Sequence, residues 1–525
     1  MSAAPPTEEP GSSAPTEIPS APAAGDGADA LVAADAPRPA PAPKPKKAPF
    51  YRRHKKKLIA LAVLIVVPTI LHYYVGCATR LTPPGLPDLS SVKAVVGPDG
   101  VARAERSYKR KRGKITEVRL VGTPAMIGDA QSKLLYDEMV ESEGVLYRMF
   151  EKYVPIPPIR HLLVDIGKWR FRHLDQGISS DRLVEFAAEA RAFSPDPFAG
   201  YIPTYQRFVY LQSLYDISLS FEHSPLLGCT SFVATGDATT DHHTYLARNF
   251  DFEVGSVYDE HKVVFLVEEE GKIPYASVSW PGFIGAVSGM NAKGVGVVIH
   301  GGRARDTRED GEPVVHTTRA ILAEASNVDE AIAIVEARKA MVSHILHLSD
   351  ASGGGPVIVR APGEPLYVRR IEGSSLRVTN HFEGPLATDE KNVSIRKNTS
   401  TLSRRARLDE LLEGASGLTP EGMAAILRDK KGVGGGDVAL GNRGTIDAII
   451  ATHAVVMDGT ARVIWVSEGP HLMGRFIRFD LGKLLDPSYE PMDEPIDAIP
   501  PDPLYEDGSY DAWVKAGEKH EGIAK

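Results

Sequence analysis

The stretch SPLLGCTSFVATGDATTDHHTYLARNFDFE, residues 224–253, is where the chain changes character. Before it, apolar residues recur at helical spacing in TPAMIGDAQSKLLYDEMVESEGVLYRMFEKY (123–153), SDRLVEFAAEARAF (180–193) and YQRFVYLQSLYDISLSF (205–221). After it come short β-rich runs separated by turn residues: KVVFLVEEE (262–270), PYASVSW (274–280), GVGVVIHGG (294–302), GPVIVRA (355–361), LRVTNHF (376–382), AIIATHAVVMD (448–458) and ARVIWVSEG (461–469). Two helical groups interrupt the strands, HTTRAILAEASNVDEAIAIVEARK (316–339) and the pair RLDELLEGA (407–415) and TPEGMAAILRD (419–429). Hairpin-type spacing predicts antiparallel sheets, and the helical groups have outer faces to cover. The expectation is an α+β fold: a four-layer αββα sandwich of two antiparallel sheets, with a helical N-terminal part at 116–228 and the main domain at 229–485.

Composition narrows the function classes. The 525 residues are 43% hydrophobic and 24% charged with a net charge of −8, which fits a globular protein and offers no electrostatic case for nucleic acid. Two cysteines, Cys77 and Cys229, exclude a disulfide framework, and no Cys/His cluster has zinc-ligand spacing. Neither a metal nor an organic cofactor is expected.

Residues 1–57 read as an Ala/Pro-rich disordered tail with a basic end. LIALAVLIVVPTILHYYVGCA (58–78) has no acid, Lys or Arg and matches the ~20 apolar residues that span a bilayer, with Tyr73 and Tyr74 at belt position. It predicts a single-pass transmembrane helix. By the positive-inside rule the tail is cytoplasmic and the catalytic domain extracytoplasmic, periplasmic in a Gram-negative cell. The long preceding tail and missing cleavage site fit a signal peptide less well, and Tyr74 is wrong for a lipoprotein site ending at Cys77. A loose linker is expected over 79–115, with RSYKRKRGK (106–114) as a solvated face or headgroup contact. Residues 486–525 read as an acidic, Pro-rich arm on the surface or a flexible end.

Chemistry centres on Cys229. A reactive cysteine needs a base or nearby positive charge. One arrangement uses His242 or His243 as a papain-like base. In the other, cleavage after Gly228 makes Cys229 an N-terminus whose own amine, of ordinary pKa about 7.7–8.0, is the base. A third possibility is a non-catalytic envelope scaffold in which Cys229 is a buried hydrophobe.

The motifs LLGCTSF and ARNFDFE, with LVGTPAMIGDAQSKLL upstream and SGMNAKGVGV, VTNHF, TLSRRARLDELL and THAVVMDGTARVIWVSEGP downstream, resemble the penicillin acyltransferase family. That family, the acyl-coenzyme A:6-aminopenicillanate acyltransferase type, belongs to the N-terminal-nucleophile hydrolases and is related to choloylglycine hydrolases and acid ceramidases. The resemblance implies autoproteolysis between Gly228 and Cys229, fragments that stay associated, and a Cys229 thioester in amide hydrolysis or acyl transfer. It also implies roles for Arg248 and Asp251 at the new N-terminus, for Asn291 as oxyanion donor, for Asn380 at the amine or substrate carbonyl, and for Arg404 as a brace, with Arg405 one residue away. Its substrates are acylated amines, and the membrane anchor favours a small N-acyl amide or a lipid-like molecule. The residues alone also allow plainer readings. Arg248 and Asp251, three apart, point to opposite faces of a regular strand. Asn291 before Lys293-Gly294 suits a hairpin turn. His381 reads as structural, and Thr230 as an aid to processing.

Overall fold

The computed structural model describes residues 50–220, 227–252 and 255–517. Of the expected disordered tail 1–57, residues 1–49 lie outside the described residues, and the basic end from 50 to 57 is instead the start of a helix. The chain divides into residues 1–65 and 66–525, and the account from β1 onward concerns the second unit. Helix α1 (Phe50–Ala78) runs through the expected apolar segment with Pro68 inside it. Within it, His54–Ala78 is long and apolar enough to cross a membrane and is almost wholly exposed.

Strands β1 (Val95–Val96), β2 (Ala102–Ala104), β3 (Ser107–Arg112) and β4 (Ile115–Gly122) follow. The loose linker expected over 79–115 therefore gives way to a sheet edge at Val95. The basic run is not a solvated face, because buried Glu117 of β4 gathers it. Arg110 Nε donates to Glu117 Oε1 at 2.6 Å, Arg112 Nε to Oε2 at 2.8 Å, and the Tyr108 hydroxyl to Oε1 at 2.9 Å.

Thr123 then caps α2 (Pro124–Tyr153), with proline in the first helical position where no N–H is needed. Helices α3 (Pro157–Arg170), α4 (Ser180–Ala192), α5 (Thr204–Leu211) and α6 (Leu214–Leu219) complete the helical part. Gly128 lets α2 and α4 cross closely, since a Cβ there would lie 2.1 Å from the Glu185 carbonyl oxygen.

The hairpin β5 (Leu227–Ala234) and β6 (Tyr245–Phe252) begins the second half. After a single turn, α7 (Val257–Glu260), come β7 (Val263–Glu269), β8 (Tyr275–Ser279), β9 (Ser288–Asn291) and β10 (Gly296–Gly301). The first expected helical group is α8 (Val314–Glu324) and α9 (Val328–Glu336). Strands β11 (His344–Ser349), β12 (Val357–Arg360), β13 (Tyr367–Arg369) and β14 (Ser375–Val378) lead to α10 (Glu390–Asn398), α11 (Thr401–Leu412) and α12 (Pro420–Leu427). The chain closes with β15 (Ala451–Asp458), β16 (Val463–Ser467), β17 (Phe476–Asp480), α13 (Leu481–Leu484), β18 (Ala498–Ile499), α14 (Pro503–Glu506) and α15 (Ser509–Lys515).

Among the described residues the larger sheet has the order β1-β2-β3-β4-β7-β8-β9-β10-β11-β12-β13, and the smaller β14-β5-β6-β15-β16-β17-β18. The expected antiparallel pairing holds except between β4 and β7, which run parallel with Val118 opposite Phe265. Between them the chain crosses α2 to α6 and the β5–β6 hairpin, a crossover that permits parallel entry where a hairpin does not.

Alternation along the strands sorts three apolar layers. Val118, Leu120, Phe265, Val297, Ile299 and Leu346 pack outward with α2, α8 and α9. Val264, Leu266 and Val298 meet Val233, Leu246, Val455 and Met457 between the sheets. Phe232, Ala234, Ala247 and Val456 pack on Leu408 of α11 and Met423 and Leu427 of α12. This is the expected four-layer αββα sandwich. The C-terminal arm is part of the body as far as it is described: Tyr510 and Trp513 pack with Ile449 and Met473.

Candidate active site

Cys229 is fully buried on β5, opposite Phe250 of β6, with Gly228 opposite Asp251 and Ser231 opposite Arg248. Strand geometry sends Arg248 and Asp251 to opposite faces, and both serve the same spot. Arg248 approaches the Cys229 sulfur from between the sheets. Asp251 lies against Gly228 on the other side.

The Arg248 guanidinium is completely buried, and among the described residues no carboxylate forms an ion pair with it. Nη1 donates to the Val287 carbonyl and Nη2 to the Ile299 carbonyl, each at 3.0 Å; Nη1 also meets Ser288 Oγ, and the Phe250 ring centroid lies 4.2 Å away. Nη2 reaches Cys229 Sγ at 3.5 Å. The other groups that hold this buried cation are neutral, and the sulfur is the side-chain atom of Cys229 it reaches. His453 and His300 near this cation are pushed far below their ordinary values by burial, and by Arg248 next, so both are neutral at pH 7.

On the helix side, the Cys229 amide donates to Asn380 Oδ1 at 2.7 Å, and Asn380 Nδ2 donates to the Gly301 carbonyl at 3.0 Å. Arg404, one helical face of α11, bonds the Cys229 carbonyl oxygen, Thr230 Oγ1 at 2.9 Å and Asn380 Oδ1 at 2.9 Å. Arg405 turns away to Glu383 and Asp409 at 2.9 and 3.0 Å. Asp251 Oδ1 is buried without a hydrogen-bond partner. Burial pushes this carboxyl up to about 6, against the pull of Arg404 and Arg443. A Cβ on Gly228 would sit 2.9 Å from Asp251 Oδ2, so only glycine admits the carboxylate so close to the backbone here.

Asn291 is not brought to Cys229. Its Nδ2 donates to the Leu322 and Ala325 carbonyls at 3.0 and 2.7 Å, and its Oδ1 accepts from Lys293 and Val295 N–H at 3.0 and 3.1 Å. All its hydrogen-bonding capacity goes to closing the β9–β10 turn and the end of α8. The histidines are also remote. Tyr245, two residues past His243, pairs with Ala234, so His243 lies beyond a strand length of roughly 17 Å from Cys229. His243 Nδ1 pairs with Asp458 at 2.9 Å, and His242 is exposed. Asp241, His243 and Asp458 bring ligand atoms within 4.8 Å of one another, but the histidine and carboxylates already satisfy each other there. His381 is tied to Thr379 and Thr401 at 3.1 and 3.0 Å.

Sequence reasoning missed several groups around the sulfur. Ser231 Oγ bridges His300 Nε2 and His347 Nδ1 at 2.7 and 2.8 Å, directly between the sheets. The buried Tyr215 hydroxyl has no hydrogen-bond partner, and burial together with Cys229 raises it well above its ordinary value.

Two cavities meet this region. One, of about 70 Å³, is lined by Tyr215, Phe250, Phe252, Tyr258, Trp280 and Phe283, with Leu146 and Phe208. The other, of about 270 Å³, is lined by Gly228, Asp251, Asn380, Arg404, Arg303 and Arg443. An apolar chamber and a polar, cationic one thus flank the same strand end.

Residues 238–435 match the model of the family described as acyl-coenzyme A:6-aminopenicillanic acid acyl-transferase. Over that stretch the chain is similar to that family. The match takes in Arg248, Asp251, Asn380 and Arg404 and begins nine residues after Cys229. An uncharacterized protein of Archaeoglobus fulgidus is 28% identical over 193 residues, 33% of this chain and 32% of its own length, so the chain spans about a third of that relative. Among solved structures, a Caenorhabditis elegans N-acylethanolamine-hydrolyzing acid amidase ortholog is 16% identical with a TM-score of 0.34, covering 44% of this chain and 93% of its own. Penicillin V acylase from Agrobacterium tumefaciens is 18% identical with a TM-score of 0.31, covering 48% and 92%. A mutant conjugated bile acid hydrolase from Clostridium perfringens is 14% identical with a TM-score of 0.33, covering 52% and 97%. At that degree of overlap the site assignments rest on the geometry above.

Proposed function

We propose that this chain is a membrane-anchored, self-processing amidohydrolase or acyltransferase that acts on N-acyl amides through a Cys229 thioester. The observation that carries the reading is Asp251: a buried carboxylate with one oxygen unpartnered, lying against Gly228 where a new ammonium group would form. An uncompensated carboxyl in such a place is costly unless a cation arrives.

In the uncut chain the Cys229 sulfur adds to the Gly228 carbonyl carbon. Collapse of the adduct breaks the C–N bond, moves the acyl group to sulfur, and transfers the thiol proton to the departing nitrogen. Water then hydrolyses the thioester to a Gly228 carboxylate and a free thiol. Asn380 Oδ1, now on the Cys229 amide, is positioned to accept a hydrogen bond from the new amine, while Asp251 compensates its charge. In the mature site that amine takes the thiol proton, Arg248 favours the thiolate, and the sulfur attacks the substrate amide. The amine returns the proton to the leaving nitrogen, and water or another amine resolves the thioester. The aromatic cavity beside Phe250 suits the acyl half and the cationic one the amine half. α1 would hold residues 66–525 at a membrane.

Chromogenic N-acyl anilides of increasing acyl length test this. The parent should release the aniline and accumulate a hydroxylamine-labile acyl adduct on residue 229, and Cys229→Ala should do neither. Turnover that survives in Cys229→Ala contradicts the proposal. Binding without release of amine supports the scaffold alternative.

A further inference from the structure

Helix α3 is inside out. In a helix packed on a soluble body the charged residues face water and the apolar stripe faces the core. Here Asp165 and Lys168 are the buried positions. They pair with each other at 2.7 Å, and Asp165 also takes His72 Nδ1 of α1 at 2.6 Å. Ile156, Ile159, Leu162, Leu163, Ile166 and Trp169, spaced three and four apart, are 42–54% exposed. A continuous apolar stripe of this size on a surface marks contact with another phase or molecule.

The neighbouring surface says which. Val66, Ile70, Tyr73 and Tyr74 on the C-terminal part of α1 are at least half exposed, and the Tyr74 ring meets Trp169 at 6.4 Å between centroids. The stripe of α3 is thus continuous with the apolar surface of α1. Basic residues border it at half-buried Arg160 and Arg172 and at exposed Arg170, the composition of a helix lying in a headgroup layer. We propose that α3 is a second membrane contact, its apolar stripe immersed in the outer boundary of the bilayer that α1 crosses. This rests on the reading of α1 as a membrane anchor. α3 follows the end of α2, where Leu146 lines the aromatic cavity and the Tyr147 ring meets Tyr201, itself stacked on His161 of α3. A bilayer at α3 therefore lies beside the acyl chamber, and an N-acyl lipid would reach Cys229 from the membrane instead of from water.

The test uses the full chain in phosphatidylcholine–phosphatidylglycerol vesicles, with and without brominated acyl chains. Alkaline carbonate extraction reads the anchor alone. Bromolipid quenching reads α3 by comparison with Trp169→Phe, because α1 has no tryptophan, Trp280 and Trp513 are buried, and the remaining tryptophan, Trp465, is half-buried on β16. A retained chain whose quenched component disappears in Trp169→Phe supports the proposal. A retained chain with no Trp169 component, as when a second copy covers the stripe, overturns it and leaves the anchor standing. A chain that washes off overturns both. The triple variant Ile159→Glu, Leu163→Glu, Ile166→Glu should lose at least tenfold turnover of a long-chain N-acyl amide in vesicles and stay within twofold on a soluble short-chain one. Equal losses on both, or none, overturn it.

Discussion

Replacing Asp251 by Asn in the uncut chain should stabilise it above pH 6. Burial lifts this carboxyl from 3.8 to about 6. Roughly two pK units at 1.36 kcal/mol each amount to about 3 kcal/mol. The sign follows from the raised folded-state value: the folded chain holds the proton more tightly than the unfolded one. This contribution is fully present below about pH 4 and is lost as pH rises through about 6. The assay compares Cys229→Ala with Cys229→Ala/Asp251→Asn, both uncut, by thermal melting between pH 4.5 and 7.5. For roughly 450 folded residues the melting entropy is about 1 kcal/mol/K, so the two curves should separate by about 3 °C across that range, with the Asn variant the more stable at the alkaline end. In cut parent protein the dependence on Asp251 should reverse, because an ammonium beside the carboxylate holds it ionised. Parallel curves for the two uncut variants would refute the claim that Asp251 waits there without a partner.

Other substitutions separate the site from its scaffold. Gly228→Ala places a methyl 2.9 Å from Asp251 Oδ2 and should slow the appearance of fragments at least tenfold in a mass-resolved time course, about 1.4 kcal/mol at the barrier. Asn291→Ala strands two carbonyls and two N–H groups of a buried turn and should cost about 3–5 kcal/mol in denaturant unfolding, while kcat of the folded fraction stays within a few fold. His243→Ala should leave turnover unchanged, because its partner is Asp458 at the end of β15, opposite Tyr245 and a strand length from Cys229; loss of activity there would restore the papain-like arrangement.

Much of the site was legible because its residues sit in short ordered motifs. Gly228-Cys229, Asn380 and Arg404 were named from three separate segments, and the fold joins them through hydrogen bonds at the Cys229 backbone. Helix phase explains why Arg404 and not Arg405 reaches the Cys229 backbone. Arg404 shares its face with buried Thr401 and Leu408, whereas Arg405 follows the i, i+4 row to Asp409. Asn291 misled because the same Asn-x-Lys-Gly letters close a hairpin, and only the pairing of β9 with β10 shows which use applies. His300, His347 and Ser231 were invisible as a unit, since their meeting needs two sheets stacked across 116 residues of chain. Strand β3 is hidden by its charge, because a run of Lys and Arg looks solvated until Glu117 is placed beside it. α3 has clear apolar spacing, yet spacing cannot say that the stripe faces outward.

The most direct test of the central claim is the intact mass of the purified full chain beside Cys229→Ala. Two fragments dividing between Gly228 and Cys229 in the parent, and a single uncut chain in the variant, are the predicted result. One folded, uncut mass in both would contradict the N-terminal-nucleophile mechanism for this protein.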